Sequence, residues 1–253
     1  MSGRGMNNKF LLFLFLILAG LAFAAESPSR PRIAVVIDDF GLTYPKNAKD
    51  DEWMALDFPI TFAVMPESPR TKKAARAVKA AGHELIIHFP FDPFLTLDLP
   101  KDRASPSDLD KVGKLLAKSL RDIPGAAGLN NHRSYKATAN RPLMAAFMGE
   151  LKGKGLYFLD SHVSSKSVAC DEARKTGLRA AVNALFLEEP GHYNDRDFCV
   201  RMLRRAASWA RKNGSVLVIG HHYYRGTFSC VKEEVPRLKA EGFDFVFASA
   251  LAK

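Results

Sequence analysis

Acidic and imidazole side chains stand at the ends of short apolar runs along the chain. Asp38 and Asp39 follow IAVVI, His88 follows ELII, Asp160 follows LYFL, and His221 and His222 follow VLVIG. Asn130, Asn131 and His132 form a further group in a loop after Gly128 and Leu129. One Asp with two His is a common ligand set for Zn2+ or another divalent ion that leaves positions open for water and substrate. Such an ion lowers the pKa of its water toward neutrality and polarises a carbonyl. Of two adjacent carboxylates, one can bind the ion while the other takes a proton, and a further histidine can protonate a leaving group.

Each group also has a plain structural reading. Asp38-Asp39-Phe40-Gly41 suits a turn, His88 a satisfied core histidine, Asn130-Asn131-His132 an Asn-rich loop, and Asp160-Ser161 a helix N-cap. Ionisable groups placed directly after buried runs are costly to hide unless paired or ligating. Their shared placement therefore points to one site.

The apolar runs at 33–37, 60–64, 84–87, 156–159, 184–187, 216–219 and 243–247 are short and continuous, which suits strands buried on both faces. Helical patterns lie between them at 70–81, 107–120, 141–153, 167–176, 195–212 and 230–241. That order predicts an α/β protein with a parallel sheet, whose strand ends share one rim. Seven strands with crossover helices fit a closed or nearly closed barrel, with an open doubly wound sheet as the rival. Ser107 and Asp108 are placed to cap the helix that follows Pro106, and Gly155, Gly177 and Gly214 stand where helices stop. Residues 91–106 read as a surface loop over one end of the sheet, where α/β folds build their sites. Neither a G-x-G-x-x-G motif nor a P-loop gives a reason to place a nucleotide.

The 253 residues carry 37 Lys+Arg against 27 Asp+Glu and are 47% hydrophobic, which excludes a disordered chain or a small disulfide scaffold. A chain this long can bury enough surface to fold without a metal, so metal ligands would serve chemistry. Residues 1–24 combine Arg4 and Lys9, the run FLLFLFLILA and small residues at Ala22 and Ala24, the anatomy of a secretory signal. Residues 25–253 are then a single exported domain, periplasmic or secreted. An uncleaved anchor is the alternative, and it would supply the only membrane contact. Cleavage after Ala24 lowers the net charge from +10 to +8. Nucleic acid is not an expected partner; an anionic envelope is. Cys170, Cys199 and Cys230 allow at most one internal disulfide and contain no Cys-x-x-Cys pair.

The succession IAVVIDDFG, GHELIIHFPFDP, GLNNH, LYFLDSHVSSKSVA and VLVIGHHY resembles the divergent polysaccharide deacetylase family, exported bacterial relatives of the metal-dependent polysaccharide deacetylases. The resemblance runs from about Ile33 to the C-terminus. It implies a distorted (β/α) barrel of about seven mainly parallel strands, one divalent ion such as Zn2+, and hydrolytic removal of acetyl groups from a polysaccharide or oligosaccharide. It assigns Asp38 as general base, Asp39 and His88 as metal ligands, and His221 as general acid. The better-known deacetylases take a second histidine ligand four residues beyond the first; Asp92 stands there, and His132 is its replacement. Asn131, Asp160, Asp92 and His222 are then expected to support the ligands or to touch the glycan. Phe89, Phe91, Tyr135 and Tyr223 are candidates for stacking on sugar faces. The chain departs from the family at Arg133-Ser134-Tyr135, at His222, and at Asn183-Ala184, where an Arg-Asp pair is expected ahead of Phe186-Leu187-Glu188.

The leading reading is a metal-dependent hydrolase that removes acetyl groups from an envelope glycan. A catalytically inactive barrel that binds glycan or an envelope partner is the alternative. A metallo-phosphoesterase is a third reading, and it would need more carboxylates at the rim than the sequence offers.

Overall fold

The computed structural model describes residues 30–43 and 48–253. The expected signal segment at 1–24 lies outside the described residues. Among the described residues, no helix is long and apolar enough to cross a membrane.

The strands are β1 (Arg32–Phe40), β2 (Thr61–Val64), β3 (Glu84–Pro90), β4 (Gly128–His132), β5 (Tyr157–Asp160), β6 (Ala180–Val182), β7 (Leu185–Phe186), β8 (Ser215–His221) and β9 (Asp244–Phe245). The sheet runs β6-β5-β4-β3-β2-β1-β8-β7 with parallel pairing throughout, and β9 pairs with the start of β1. β6 and β7 are nearly one strand. Between them, Asn183 N donates to Asp160 O on β5 and Ala184 N donates to Leu217 O on β8. That stretch bonds both edges of the sheet, so the expected distorted barrel of about seven strand positions is what the chain forms.

The helices are α1 (Asp50–Met54), α2 (Thr71–Ala80), α3 (Pro106–Asp122), α4 (Arg141–Gly153), α5 (Ala169–Thr176), α6 (Arg196–Asn213) and α7 (Arg225–Ala240). They cover the outer face of the sheet, where Ile33, Val35, Ile37, Leu85 and Ile87 join one large core. Ala34, Val36, Ile86, Leu217 and Ile219 belong to a smaller inner core. Strand side chains alternate between faces, so β1 sends Ala34, Val36 and Asp38 inward, β3 sends Ile86 and His88, and β8 sends Leu217, Ile219 and His221. The apolar pattern that fills the barrel thus ends, on each of these strands, in an inward ionisable group.

Four expectations need correction. The GLNNH segment is a strand, not a loop; its polar side chains are buried because they bond one another in the barrel interior. Gly128 is required there, since a Cβ would lie 2.6 Å from the Tyr157 carbonyl oxygen. Ser107 and Asp108 do not cap α3: Ser105 is the N-cap with Pro106 in the first turn, and the Asp108 carboxylate accepts instead from the amides of Asp98 and Leu99. α7 begins five residues earlier than its apolar pattern suggests, and α1 was not anticipated. Gly177 and Gly214 do end α5 and α6, in the left-handed conformation. Cys199 and Cys230 form a disulfide that ties α6 to α7, while Cys170 is a buried free thiol.

Candidate metal centre

Parallel register sets the site. Asp38 pairs with His221 across β1 and β8, His88 with Asn130 across β3 and β4, and His132 with Pro90 one turn of the pleat further out. Asp39 departs from the alternation. The β1–β2 register shifts between Ile37 and Phe40, and Asp39 takes φ 62°, a left-handed conformation costly for a residue with a Cβ. That irregularity brings the adjacent carboxylates of Asp38 and Asp39 to the same histidine.

Three ligand atoms meet here. His88 Nε2 and His132 Nδ1 lie 3.2 and 3.1 Å from Asp39 Oδ1, and 2.8 Å from each other. Among the described residues this is the one such group of three. Ligands about 2.1 Å from a tetrahedral ion stand about 3.4 Å apart, so the triangle, slightly tighter than that, is near the size that one cation holds. Asp39 Oδ1 is buried, and neither ring nitrogen reaches it in hydrogen-bonding geometry. A buried carboxylate oxygen left in that state is what a cation would satisfy. Burial alone would raise the Asp39 pKa, but the His132 and His88 rings beside it hold it well below the usual carboxylate range. Burial lowers the His132 pKa and keeps that ring neutral, as ligation requires.

Asn130 orders the centre. Its Oδ1 accepts from His88 Nδ1 at 2.8 Å, which leaves the His88 Nε2 lone pair aimed at the triangle. Its Nδ2 donates to Asp38 Oδ1 at 2.7 Å and to Ser161 Oγ at 3.1 Å. Asp38 is 2% exposed, and its Oδ2 stands 3.6 Å from His88 Nε2. Burial raises its pKa despite the nearby imidazoles, the direction that suits a carboxylate accepting a proton near neutrality.

Across the barrel, Glu188 Oε2 accepts from His221 Nδ1 at 3.0 Å, while its Oε1 accepts from the His221 amide and from the Thr227 hydroxyl. Burial pushes the His221 pKa down, but Glu188 overrides it and raises the value to about 9. His221 is thus a protonated donor at neutral pH, with its Nε2 free of this partner. Glu188 and Asn130 had no role assigned from sequence. Glu188 obeys the rule that found the others, an acid directly after an apolar strand.

The remaining expected residues sit around the centre without entering it. Asn131 accepts from the Ser161 amide and donates to the Arg133 carbonyl. Asp160 accepts from the Ser167 hydroxyl and the His162 amide, which fixes the turn after β5. The Asp92 carboxylate accepts from the amides of Lys136 and Ala137, so it locks the loop after β3 to the turn after β4 and has no part in the triangle. His222 is fully buried, with its ring on Phe40 and its amide donating to Asp38 O, so it supports the site from below and cannot reach a glycan. Burial holds its pKa down at about 4. Phe89 and Phe91 are packed with Phe147 in the core and are not available for sugar stacking. Tyr135 is 54% exposed and is available.

Residues 35–252 match the family described as divergent polysaccharide deacetylase. The chain belongs to that family. It is 35% identical over 207 residues to the uncharacterized protein YibQ of Escherichia coli (strain K12), a match that covers 79% of this chain and 63% of the relative. Its fold is similar to that of an uncharacterized protein of Agrobacterium tumefaciens C58, with TM-score 0.75, 20% identity, and 88% and 90% of the two chains covered. It is also similar to a chitin deacetylase of the fungal pathogen Colletotrichum lindemuthianum, with TM-score 0.57, 16% identity, and 89% and 88% covered. These structures share the distorted α/β barrel of this chain.

Proposed function

We propose that the protein is an exported, metal-dependent hydrolase that removes acetyl groups from an envelope polysaccharide. The observation that carries this reading is the convergence of Asp39, His88 and His132 within 3.2 Å of one another, with Asp38 beside them and His221 paired to Asp38 in register and to Glu188 through Nδ1. The residues fit a divalent ion, and Zn2+ suits their one-oxygen, two-nitrogen set. Such an ion supplies a reactive water at neutral pH and polarisation of the acyl carbonyl. Asp38 Oδ2 takes the proton from the attacking water, with Asn130 holding its other oxygen in place. His221 Nε2 gives its proton to the departing sugar nitrogen or oxygen, and Glu188 stabilises the imidazolium until that moment.

Export is supported by the signal-like composition of residues 1–24 and by the Cys199–Cys230 disulfide, which persists in an oxidising compartment. A binding-only role draws on Asn183, which stands where the family resemblance leads one to expect an arginine and donates to the Ser161 carbonyl. The two are separated by acetate release from acetylated oligosaccharides. Wild-type protein releases acetate, Asp38→Asn does not, and both bind about one divalent ion per chain. Unaltered metal content in His132→Ala would remove the proposed centre.

A further inference from the structure

A second feature opens on the same rim. Three loops leave the carboxyl ends of β3, β4 and β5 and border an open cavity of about 640 Å³ lined by Leu97, Leu99, Tyr135, Lys136, Asp98 and Lys166, among others. The loops after β3 and β4 are hydrogen-bonded to each other. Asp92 bonds the amides of Lys136 and Ala137, Asp108 bonds those of Asp98 and Leu99, and Asn140 Nδ2 donates to the Pro100 carbonyl. Tyr135 follows His132 by three residues, at most ~11 Å of chain. Phe94, 52% exposed, has its ring 4.9 Å from that of His132, and the Arg133 guanidinium stands over Phe94 at 5.9 Å.

The charge of this cavity is unbalanced. Among the described residues, neither lining cation, Lys136 or Lys166, makes an ion pair, and neither does Arg133 beside the cavity. Asp98 is the one acid lining the cavity. Arg133 and Ser134 both adopt positive φ, 52° and 74°, and hydrogen bonds from Asn131 and Ser134 hold that turn. Strain of this kind persists when surrounding structure fixes it, often where a side chain must be presented. Apolar leucines and exposed aromatic faces suit the flat C–H faces of sugars; unpaired cations suit a carboxylate or phosphate.

We propose that this cavity receives an anionic sugar unit of the substrate chain, adjacent to the unit that loses its acetyl group. The substrate class is then an acidic, acetylated polysaccharide. This rests on the deacetylase reading for the identity of the neighbouring unit, but recognition by the cavity can be measured without turnover.

The test compares two hexasaccharide probes by calorimetry at low and high salt: neutral N-acetylchitohexaose and hyaluronan hexasaccharide, which carries a carboxylate on every second unit. Wild-type protein binds the acidic probe about fivefold tighter or more at low salt, as two or three surface ion pairs allow, and the advantage shrinks as salt rises. Lys136→Ala/Lys166→Ala erases the preference, bringing the acidic probe to the affinity of the neutral one. Tyr135→Ala weakens both probes. Equal affinity of wild-type protein for the two probes, a preference that survives the double variant, or binding of neither probe would overturn the proposal. Acidic-probe binding without any acetate release would instead sink the deacetylase reading and leave this cavity assignment standing.

Discussion

Glu188→Gln is the perturbation most tightly bound to geometry. In wild-type protein the Glu188 carboxylate accepts from His221 Nδ1 at 3.0 Å with 1% of its side chain exposed, and His221 titrates at about 9 rather than 6.5. A rise of that size corresponds to about 3 kcal/mol between the protonation states. Gln keeps the acceptor for the His221 amide and the Thr227 hydroxyl but turns a neutral amide toward Nδ1. The His221 pKa should fall by at least one to two units, the remainder being held up by Asp39 and Asp38. The sign for stability follows from linkage. A histidine with a raised folded-state pKa stabilises the fold fully below pH 6.5, and that contribution is lost as pH rises through about 9. Wild-type protein should therefore lose stability between pH 7 and 9.5, and the loss should be smaller in Glu188→Gln. Because His221 must donate a proton, the alkaline limb of kcat should also move to lower pH. The assay is the pH titration of the His221 Cε1–H resonance in metal-free protein, since a bound cation would itself lower the value. A shift of less than about half a unit would refute the assignment of Glu188 as the partner that keeps His221 protonated.

Other outcomes follow from single contacts. Asn130→Ala removes the acceptor of His88 Nδ1 and the donor to Asp38, and should weaken metal binding about 10- to 100-fold in a competition titration with a chelating dye. Gly128→Ala places a Cβ 2.6 Å from the Tyr157 carbonyl; it should displace β4, lower the thermal midpoint and reduce metal affinity together, because Asn130 and His132 ride on that strand. Replacing Cys199 and Cys230 by Ser opens a loop of separation 31 and should cost about 3–4 kcal/mol in urea unfolding, with the same loss produced in wild-type protein by reductant. His222→Phe keeps the packing on Phe40 but removes the ring's hydrogen bond to the Asp39 backbone, so it should retain the fold and weaken metal binding in the same dye titration.

Most of the barrel was legible because its strands are continuous apolar runs, and the site was legible because ionisable groups break those runs at their ends. β4 was not, and the reason is physical. Three of its five residues are polar, and Asn130 is buried only because His88, Asp38 and Ser161 satisfy it, partners that lie 31 to 92 residues away. No local pattern carries such a closure. Asp92 stands at the spacing from His88 where the better-known deacetylases take a second histidine, and its carboxylate accepts from two backbone amides of the next loop. Ser107 and Asp108 looked like caps by residue type, whereas Pro106 starts α3 one residue earlier and frees Asp108 to pin the loop over the rim. Glu188 was within reach. It follows the apolar run 184–187 as Asp38 follows 33–37, and only its pairing with His221 required the folded register.

The central claim is that Asp38, the Asp39-His88-His132 triangle and His221 together hydrolyse an acetyl group on a glycan. Acetate release from a panel of acetylated envelope oligosaccharides, with wild-type protein loaded with Zn2+ and with the same protein after chelation, tests it most directly. The predicted result is release by the loaded wild type that chelation abolishes, that added ion restores, and that Asp38→Asn lacks while still binding the ion. Zn2+-loaded, folded wild-type protein that releases no acetate from any member, or release that persists in Asp38→Asn, would contradict it.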